Sequence, residues 1–414
     1  MDSSRESEIP PRQRVYLGFL TAIVCMVLCI LMAEATVRIL KRHTAFQPDP
    51  DLIRSRLANW NEPMSTFETE DNLNGRSNPI PDEPIPVGIR RTNNLGLRMA
   101  KDVGPKRQDE HRILILGDSF TEAVDVPYER RFDGLADGIL KGRGSDWERW
   151  TMVNAGIMNG SPSQYLLMLR RLAPKVAPDV VIVVTGSNDL GDDMWFENRY
   201  GFVLDEDGVP LRPRARLQLW TLQHSYFLRY TEVFLQRFVP SLESAIFRPA
   251  DDSVVPLSWT TLSCRLQPEA ARSFEERTGR YLLQLDTMAR SAGAQFGVLV
   301  MHYLYSFENE PFYEKKYPSM KADLAKEHCY EANARPYVEF VDGFLERNRI
   351  SYRDTHGALL AAKREAPTRK LWNFVDYHFS PAGHEIMAGE LVKLVLEMHD
   401  EFETSSTDRA GPGE

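Results

Sequence analysis

Cysteine is scarce in this chain, and its four copies form no Cys-x-x-Cys pair, which argues against a disulfide scaffold or a zinc cluster. Long runs of lysine or arginine are also missing, and 50 basic against 59 acidic side chains give a formal net charge of −9. Because phosphate neutralisation needs a basic face, this balance argues against nucleic acid as a partner. Apolar residues make up 43 % and charged residues 26 % of the 414 positions, which excludes global disorder.

A long run without charge extends from Val15 to Ala33. As a helix it measures about 28 Å, close to the hydrocarbon thickness of a bilayer. We therefore predict a transmembrane anchor over 15–37, preceded by an N-terminal tail over 1–14. A cleaved signal peptide is one alternative, because Ala33-Glu34-Ala35 resembles a cleavage site, and a buried helix of the globular part is another.

The flanking charges do not decide the membrane orientation. We expect a single-pass membrane protein with its catalytic domain outside the cytoplasm, either periplasmic or extracellular, since both the anchor and the signal allow it. Cys25 and Cys29 then lie in the membrane, and Cys264 and Cys329 lie in the exported part. An oxidising compartment permits a Cys264–Cys329 disulfide, and two free buried thiols are the alternative.

From Arg112 onward, short apolar runs typical of strands alternate with helical patterns. Strands this apolar, separated by helices, indicate a parallel sheet covered on both faces. The predicted fold class is therefore α/β, a three-layer α/β/α sandwich around a mostly parallel sheet, over residues 106–398. We predict strands at 112–116, 150–154, 179–184 and 296–301, and helices at 128–141, 163–174, 269–291, 336–347 and 381–397.

Three segments depart from this alternation. Residues 38–105 are rich in proline, asparagine and charge, and we expect a stalk leading into an irregular edge segment. An insertion is predicted over about 191–260, where residues 215–239 are unusually aromatic. This insertion is either helical and packed on the domain, or a lid or membrane-facing surface. Residues 399–414 are polar and predict a disordered tail.

The first candidate for chemistry is Ser119, in Gly117-Asp118-Ser119 directly after the first strand. A serine there lies at the carboxyl end of a parallel strand, where open α/β sheets place their active sites. It also lies at a helix N-terminus, whose free N–H groups stabilise negative charge. Ser119 is therefore a candidate nucleophile. Alternatively it only caps the helix, because Ser119 to Glu122 matches a capping box.

Two further loops offer hydrogen-bond donors. Gly156 and Gly160, with Asn159, follow the second strand and allow backbone N–H groups to face an oxyanion, although an ordinary turn has the same composition. Asn188 follows the third strand and can donate an amide N–H without carrying charge. An Asx-turn is the alternative for Asn188.

Asp376 and His378 form the last candidate pair. In an extended segment, residues two apart point to the same side, so the carboxylate can hold the imidazole Nδ1–H and leave Nε2 free for a serine proton. Ser380 and Pro381 fit the N-cap and first position of the final helix. His384 falls inside that helix, and we expect it to be a packing or surface histidine.

These four blocks together resemble the SGNH (GDSL-type) hydrolase family, in its membrane-anchored bacterial type. The family's blocks are a Gly-Asp-Ser, a glycine loop, a Gly-x-Asn-Asp and a late Asp/His motif, and the resemblance covers roughly residues 108–398. It implies a flavodoxin-like sandwich. It also implies that Ser119 is the nucleophile, His378 the general base and Asp376 its orienter, with an oxyanion hole formed by Ser119, Gly160 and Asn188.

The chain departs from the family pattern in two places. The family separates its late Asp and His by two residues, whereas Tyr377 alone intervenes here, and Asp354 is therefore kept as an alternative orienter. Asn159 stands where the second glycine of the loop is expected. Either Asn159 or Gly160 then supplies the backbone N–H.

These residues predict a serine ester hydrolase acting on a small-molecule or polysaccharide ester, possible substrates being carbohydrate and lipid esters, with no metal or organic cofactor. An O-acyltransferase that modifies cell-surface polysaccharide uses the same nucleophile and is one alternative. An inactive, anchored binding module is the other. The substrate and the oligomeric state do not follow from the sequence.

Overall fold

A computed structural model of the chain describes residues 11–41, 93–99, 101–123, 126–157, 160–186, 188–200, 202–213, 227–228, 231, 268–301, 336–372 and 378–409. The chain divides into two units. The first comprises residues 1–54 and 215–250, and the second comprises residues 55–214 and 251–414. The predicted stalk before residue 93, the aromatic residues 215–226, and both Cys264 and Cys329 lie outside the described residues.

The first unit contains helix α1, Pro11–Lys41. Its stretch Tyr16–Val37 has a mean hydropathy of 2.5 and none of it is buried. Among the described residues this helix alone is long and apolar enough to cross a membrane, a criterion that a signal sequence also meets. Cys25 and Cys29 are exposed free thiols on it. Near its end, the Glu34 carboxylate accepts the backbone N–H of Phe227 at 2.8 Å.

The second unit is built on a parallel five-stranded sheet of order β2-β1-β3-β6-β7. Its strands are β1 His111–Gly117, β2 Trp150–Gly156, β3 Val180–Thr185, β6 Gln295–Val300 and β7 Ser351–Asp354. Strands β4 Phe202–Leu204 and β5 Pro210–Pro213 form a separate antiparallel pair. The α/β fold with a parallel sheet is thus confirmed. Four of the five sheet strands match predicted runs, and β7 is an additional edge strand.

Helices connect these strands. They are α2 Ser119–Glu122, α3 Phe132–Lys141, α4 Pro162–Val176, α5 Asp189–Tyr200, α6 Pro268–Phe274, α7 Arg280–Ser291, α8 Pro336–Arg347, α9 His356–Glu365 and α10 Pro381–Arg409. A π-helical turn, Glu275–Gly279, joins α6 to α7 within the predicted helix 269–291.

The sheet is covered on both faces, which gives the three predicted layers. Leu114 and Leu116 of β1 pack into a core cluster with residues of α4, α7 and α8. Ile113 and Ile115 face the opposite cluster, with residues of α3, α9 and α10. All four side chains are completely buried, and each contributes about 1.5–3 kcal/mol relative to an exposed position. The carboxyl ends of β1, β2 and β3 therefore sit at one edge of a rigid core.

The boundaries of the second unit differ from the sequence-based expectation at both ends. Leu97 and Met99 of the predicted edge segment are buried in the core, so the packed structure extends at least to residue 93. Helix α10 continues to Arg409, where a disordered tail was predicted from 399. Neither proline nor glycine occurs after Gly389 until Gly411, and the sequence contains no residue that stops the helix earlier.

Candidate active site

Ser119 lies at the start of α2, immediately after the carboxyl end of β1. The cap of this short helix is Asp118 rather than Ser119, because the Asp118 carboxylate accepts the N–H of Phe120 at 2.9 Å. The Ser119 hydroxyl is therefore not engaged as a cap. It is half-buried, and its Oγ lies 2.7 Å from Nε2 of His378.

His378 reaches Ser119 from the segment before α10, 259 positions further along the chain. The Ser380 hydroxyl accepts the N–H of Gly383 at 3.3 Å and donates to the Lys370 carbonyl at 2.6 Å, which fixes the start of α10. The imidazole also packs against the Phe120 ring, with centroids 4.7 Å apart. His378 thus lies three residues ahead of the helix that begins at Pro381, as the Ser380-Pro381 pattern predicts.

The predicted orienter Asp376 lies outside the described residues. The alternative, Asp354, lies at the end of β7, where its Oδ1 accepts the N–H of His356 at 2.7 Å. This bond satisfies one of the free N–H groups at the start of α9. Asp354 therefore has a local structural role, and the role of Asp376 stays a prediction.

Asn188 lies beside the residue that precedes Ser119. Its Nδ2 donates to Asp118 at 2.8 Å and to Asp192 at 3.1 Å. The loop after β2 lies at the same sheet edge, since Ile157 N–H donates to the Gly117 carbonyl at 2.9 Å. The N–H of Gly160 donates to the Ile157 carbonyl at 3.0 Å, and Asn159 lies outside the described residues.

The carboxyl end of β2 also supports the backbone of α2. A Cβ on Gly156 would lie 2.3 Å from the backbone N of Glu122 and 2.5 Å from the carbonyl carbon of Thr121. Only glycine permits this close approach. In addition, Nδ2 of Asn154 donates to the Thr121 carbonyl at 2.9 Å. The backbone of the turn that carries Ser119 consequently packs directly against the backbone of Gly156 in β2.

Three carboxyl groups are buried beneath this edge, a feature that the motif analysis missed. Burial raises the pKa of Asp118, opposed by its hydrogen bonds to Asn188 and Phe120. Burial and the nearby Asp118 charge raise the pKa of Asp189, which accepts hydrogen bonds from Thr185 and Gly186. Burial raises the pKa of Asp193 to about 6, although Ser161, Thr278 and Ser163 donate to it.

His384 is a packing histidine. It is 1 % exposed, stacks on Phe132 with centroids 5.9 Å apart, and meets Phe379 edge-on. Burial, with a smaller effect of the nearby Arg131 charge, lowers its pKa to about 3. It therefore stays neutral at physiological pH and is distinct from His378.

The arrangement suits acyl chemistry through a serine. An imidazole nitrogen 2.7 Å from a hydroxyl is placed to take its proton, and the hydroxyl sits where the N-terminal N–H groups of a helix favour developing negative charge. Among the described residues, no group of three or more His, Cys, Asp or Glu side chains is arranged to hold a metal ion.

Comparison with known proteins gives partial matches. No protein-family model matches the chain. An arylesterase of Vibrio mimicus is 29 % identical over 82 residues, which are 20 % of this chain and 40 % of that protein. The chain is similar to an esterase over this stretch. It thus spans less than half the length of that curated relative.

Solved structures that resemble the chain include further esterases. The acetyl xylan esterase AlAXEase aligns with a TM-score of 0.38 and 12 % identity, over 69 % of this chain and 99 % of its own. Axe2, an acetylxylan esterase from Geobacillus stearothermophilus, aligns with a TM-score of 0.34 and 15 % identity, over 71 % and 95 %. TesA aligns with a TM-score of 0.33 and 12 % identity, over 69 % and 98 %. The functional assignment of this chain rests on the geometry of its own residues.

Proposed function

We propose that this chain is a serine ester hydrolase. The observation that carries the proposal is the 2.7 Å distance between Ser119 Oγ and His378 Nε2 at the carboxyl edge of the sheet. In the proposed reaction, Ser119 Oγ attacks the acyl carbon while His378 takes its proton, and the alcohol leaves with that proton. Water, deprotonated by His378, then attacks the acyl-enzyme and releases the acid, and Ser119 regains its proton.

The tetrahedral oxyanion is stabilised in this proposal by three donors. These are the N–H of Ser119, the N–H of Asn159 or Gly160 in the loop after β2, and Nδ2 of Asn188. The N–H of Gly160 donates to the Ile157 carbonyl in the free protein and serves as this donor only if that bond is broken. In the free protein, Asn188 Nδ2 donates to Asp118 and Asp192. Substrate therefore has to redirect one of these bonds.

Asp376 completes the proposed triad by holding the Nδ1–H of His378. Its position two residues before His378 in the sequence supports this role, because neighbours at that spacing in an extended segment share a face. Such a carboxylate fixes the imidazole tautomer and stabilises the imidazolium that forms during attack.

The test is ester turnover by the full chain in detergent. The substrate is 4-nitrophenyl acetate, and the variants are Ser119→Ala and the matched control Ser291→Ala, which removes an exposed hydroxyl at the end of α7. We expect Ser119→Ala to lose about 10³-fold or more in kcat and the control to keep full activity. A fluorophosphonate probe should label the wild type and Ser291→Ala only. Equal turnover by wild type and Ser119→Ala would refute the proposal.

The same assay identifies the acyl acceptor. Product analysis with and without a hydroxyl-bearing polysaccharide separates hydrolysis, which releases free acid, from transfer, which yields an acylated sugar. Free acid as the main product in both reactions is the result that the hydrolase proposal requires.

We also propose that α1 anchors the chain in a membrane, with the second unit outside the cytoplasm. The support is the apolar stretch Tyr16–Val37, no part of which is buried in the protein. Alkaline carbonate should leave the chain in the membrane pellet, and protease added to spheroplasts should digest the second unit. Extraction by carbonate, or protection from protease, would contradict the corresponding part of this proposal.

A further inference from the structure

The turn that carries Ser119 ends in an energetically unfavourable backbone conformation. Helix α2 has only four residues, Ser119–Glu122, and Ala123 after it adopts a left-handed conformation with φ 48° and ψ 55°. A residue with a Cβ pays roughly 1–2 kcal/mol for this conformation. A helix end also leaves its last carbonyl oxygens without partners in the helix. Residues 119–123, here called the nucleophile turn, therefore need support at their C-terminal end.

Arg98 provides this support. Its Nη1 donates to the carbonyl of Glu122 at 3.0 Å and to that of Ala123 at 2.8 Å. Its Nη2 donates to the carbonyl of Val126 at 2.9 Å. One guanidinium thus binds three carbonyl oxygens at and just after the end of the turn. A cation at a helix C-terminus is also favoured by the helix dipole.

Arg98 is itself held by the core. Its backbone carbonyl accepts Nη1 of Arg131 at 2.8 Å, and Arg131 is fully buried in a bidentate ion pair with Asp133 at 2.5 and 2.6 Å. The neighbours Leu97 and Met99 are 3 % and 6 % exposed. The backbone of residues 97–99 is therefore fixed by the core, and this fixes the position of the Arg98 side chain at the turn.

We propose that Arg98 is a positioning residue for Ser119, an inference that rests on the proposed hydrolase function. The link is short, because the N–H of Ala123 donates to the Ser119 carbonyl at 2.8 Å. A shift of Ala123 therefore shifts Ser119 relative to His378. Arg98 acts through the turn and lies in a segment outside the four motif blocks.

The experiment compares Arg98→Gln and Arg98→Lys with the matched control Arg112→Gln, in the full chain in detergent. Like the half-buried Arg98, the buried Arg112 binds a helix-terminal carbonyl, that of Val176 at 3.1 Å. It also pairs with Glu110, and it lies in β1 near the opposite end of the strand. Turnover of 4-nitrophenyl acetate, the rate of fluorophosphonate labelling and the melting temperature are measured for each variant.

We expect Arg98→Gln to lower kcat and the labelling rate about 10- to 100-fold, with KM within about threefold of the wild-type value, since a misplaced nucleophile weakens the reaction step. Arg98→Lys should recover part of this loss, because an ammonium can bind one or two of the carbonyls. Arg112→Gln should lower the melting temperature and leave kcat unchanged.

The outcomes separate this inference from the proposed function. Wild-type protein that neither turns over ester nor reacts with the probe overturns both. Active wild type with an unchanged kcat in Arg98→Gln overturns the positioning role alone. An equal loss of kcat in Arg112→Gln also overturns it, because the effect is then one of general stability. If Arg98→Gln does not fold, the kcat of Arg98→Lys tests the positioning role instead. A wild-type kcat in Arg98→Lys would then contradict that role.

Discussion

Replacing Asn188 with alanine should lower kcat strongly and lower the unfolding free energy less, if Asn188 is part of the proposed oxyanion hole. The substitution removes an amide that donates to Asp118 at 2.8 Å and to Asp192 at 3.1 Å. If this amide turns toward the oxyanion in the transition state, its loss costs about 2.7–4 kcal/mol, or 10²–10³ in kcat. Because the donor acts on charge that develops during attack, KM should change little.

The effect on folding should be smaller than the effect on catalysis. A hydrogen bond to a charged group contributes about 1.5–3 kcal/mol, and one between neutral groups contributes about 1 kcal/mol. We therefore expect the substitution to lower the unfolding free energy by about 1–3 kcal/mol. A loss of two to three orders of magnitude in kcat with a small loss of stability is the expected signature.

Initial rates on 4-nitrophenyl acetate give kcat and KM, and urea unfolding gives stability. Asn348→Ala is the matched control, since Asn348 lies just after the end of α8 and its Nδ2 donates to the Phe344 carbonyl at 2.7 Å, away from the candidate site. The control should lose some stability and keep its kcat. An Asn188→Ala variant whose kcat stays within about threefold of wild type would refute the proposed donor role.

Three further predictions concern carboxylates. Asp376→Asn should lower kcat about 10⁴-fold by favouring the wrong imidazole tautomer, whereas Asp354→Asn should leave kcat nearly unchanged, as ester turnover will measure. Asp133→Ala should lower the unfolding free energy in urea by about 3–5 kcal/mol, because it leaves the charge of Arg131 buried and unpaired. Asp193 has a pKa raised from 3.8 to about 6, so the folded chain holds a proton that the unfolded chain releases between these values. Stability should therefore fall as pH rises through this window, by about 3 kcal/mol for this group, and Asp193→Asn should remove that part of the slope.

Each of these predictions has its own control. Equal losses of kcat in Asp376→Asn and Asp354→Asn would remove the distinction between the two carboxylates. Asp137→Ala breaks a half-exposed pair with Lys141 and should cost less than about 1 kcal/mol, so a similar loss in Asp133→Ala would contradict the burial argument. The same pH slope in wild type and Asp193→Asn would show that Asp193 does not titrate in this window.

The sheet could be predicted where the sequence pattern alone determines burial. The runs at 112–116, 150–154, 179–184 and 296–301 are mostly apolar, and all four form strands. Strand β7 was missed because its residues Ser351–Asp354 are polar and half-buried at the sheet edge. Helix α5 was missed because Asp193 is buried through hydrogen bonds from Ser163 and Thr278, which lie far from it in the sequence, and no local pattern indicates such partners.

At the candidate site, residues with a motif could be found and residues without one could not. The first motif follows a strand and the last precedes a helix, and the structure brings Ser119 and His378 of these motifs within hydrogen-bond distance. Arg98 was missed because its partners are backbone carbonyls, which every residue carries and which leave no trace in the sequence. The part played by Asp376 stays a prediction.

The separation of Ser119 and His378 by 259 positions has a consequence for synthesis of the chain. A ribosome delivers the serine long before the histidine and the helix that begins at Pro381. A nascent chain therefore exposes the serine without its proposed base, and the proposed chemistry becomes possible only after His378 has been made and the helix that begins at Pro381 has packed. The order of translation thereby delays assembly of the proposed catalytic pair.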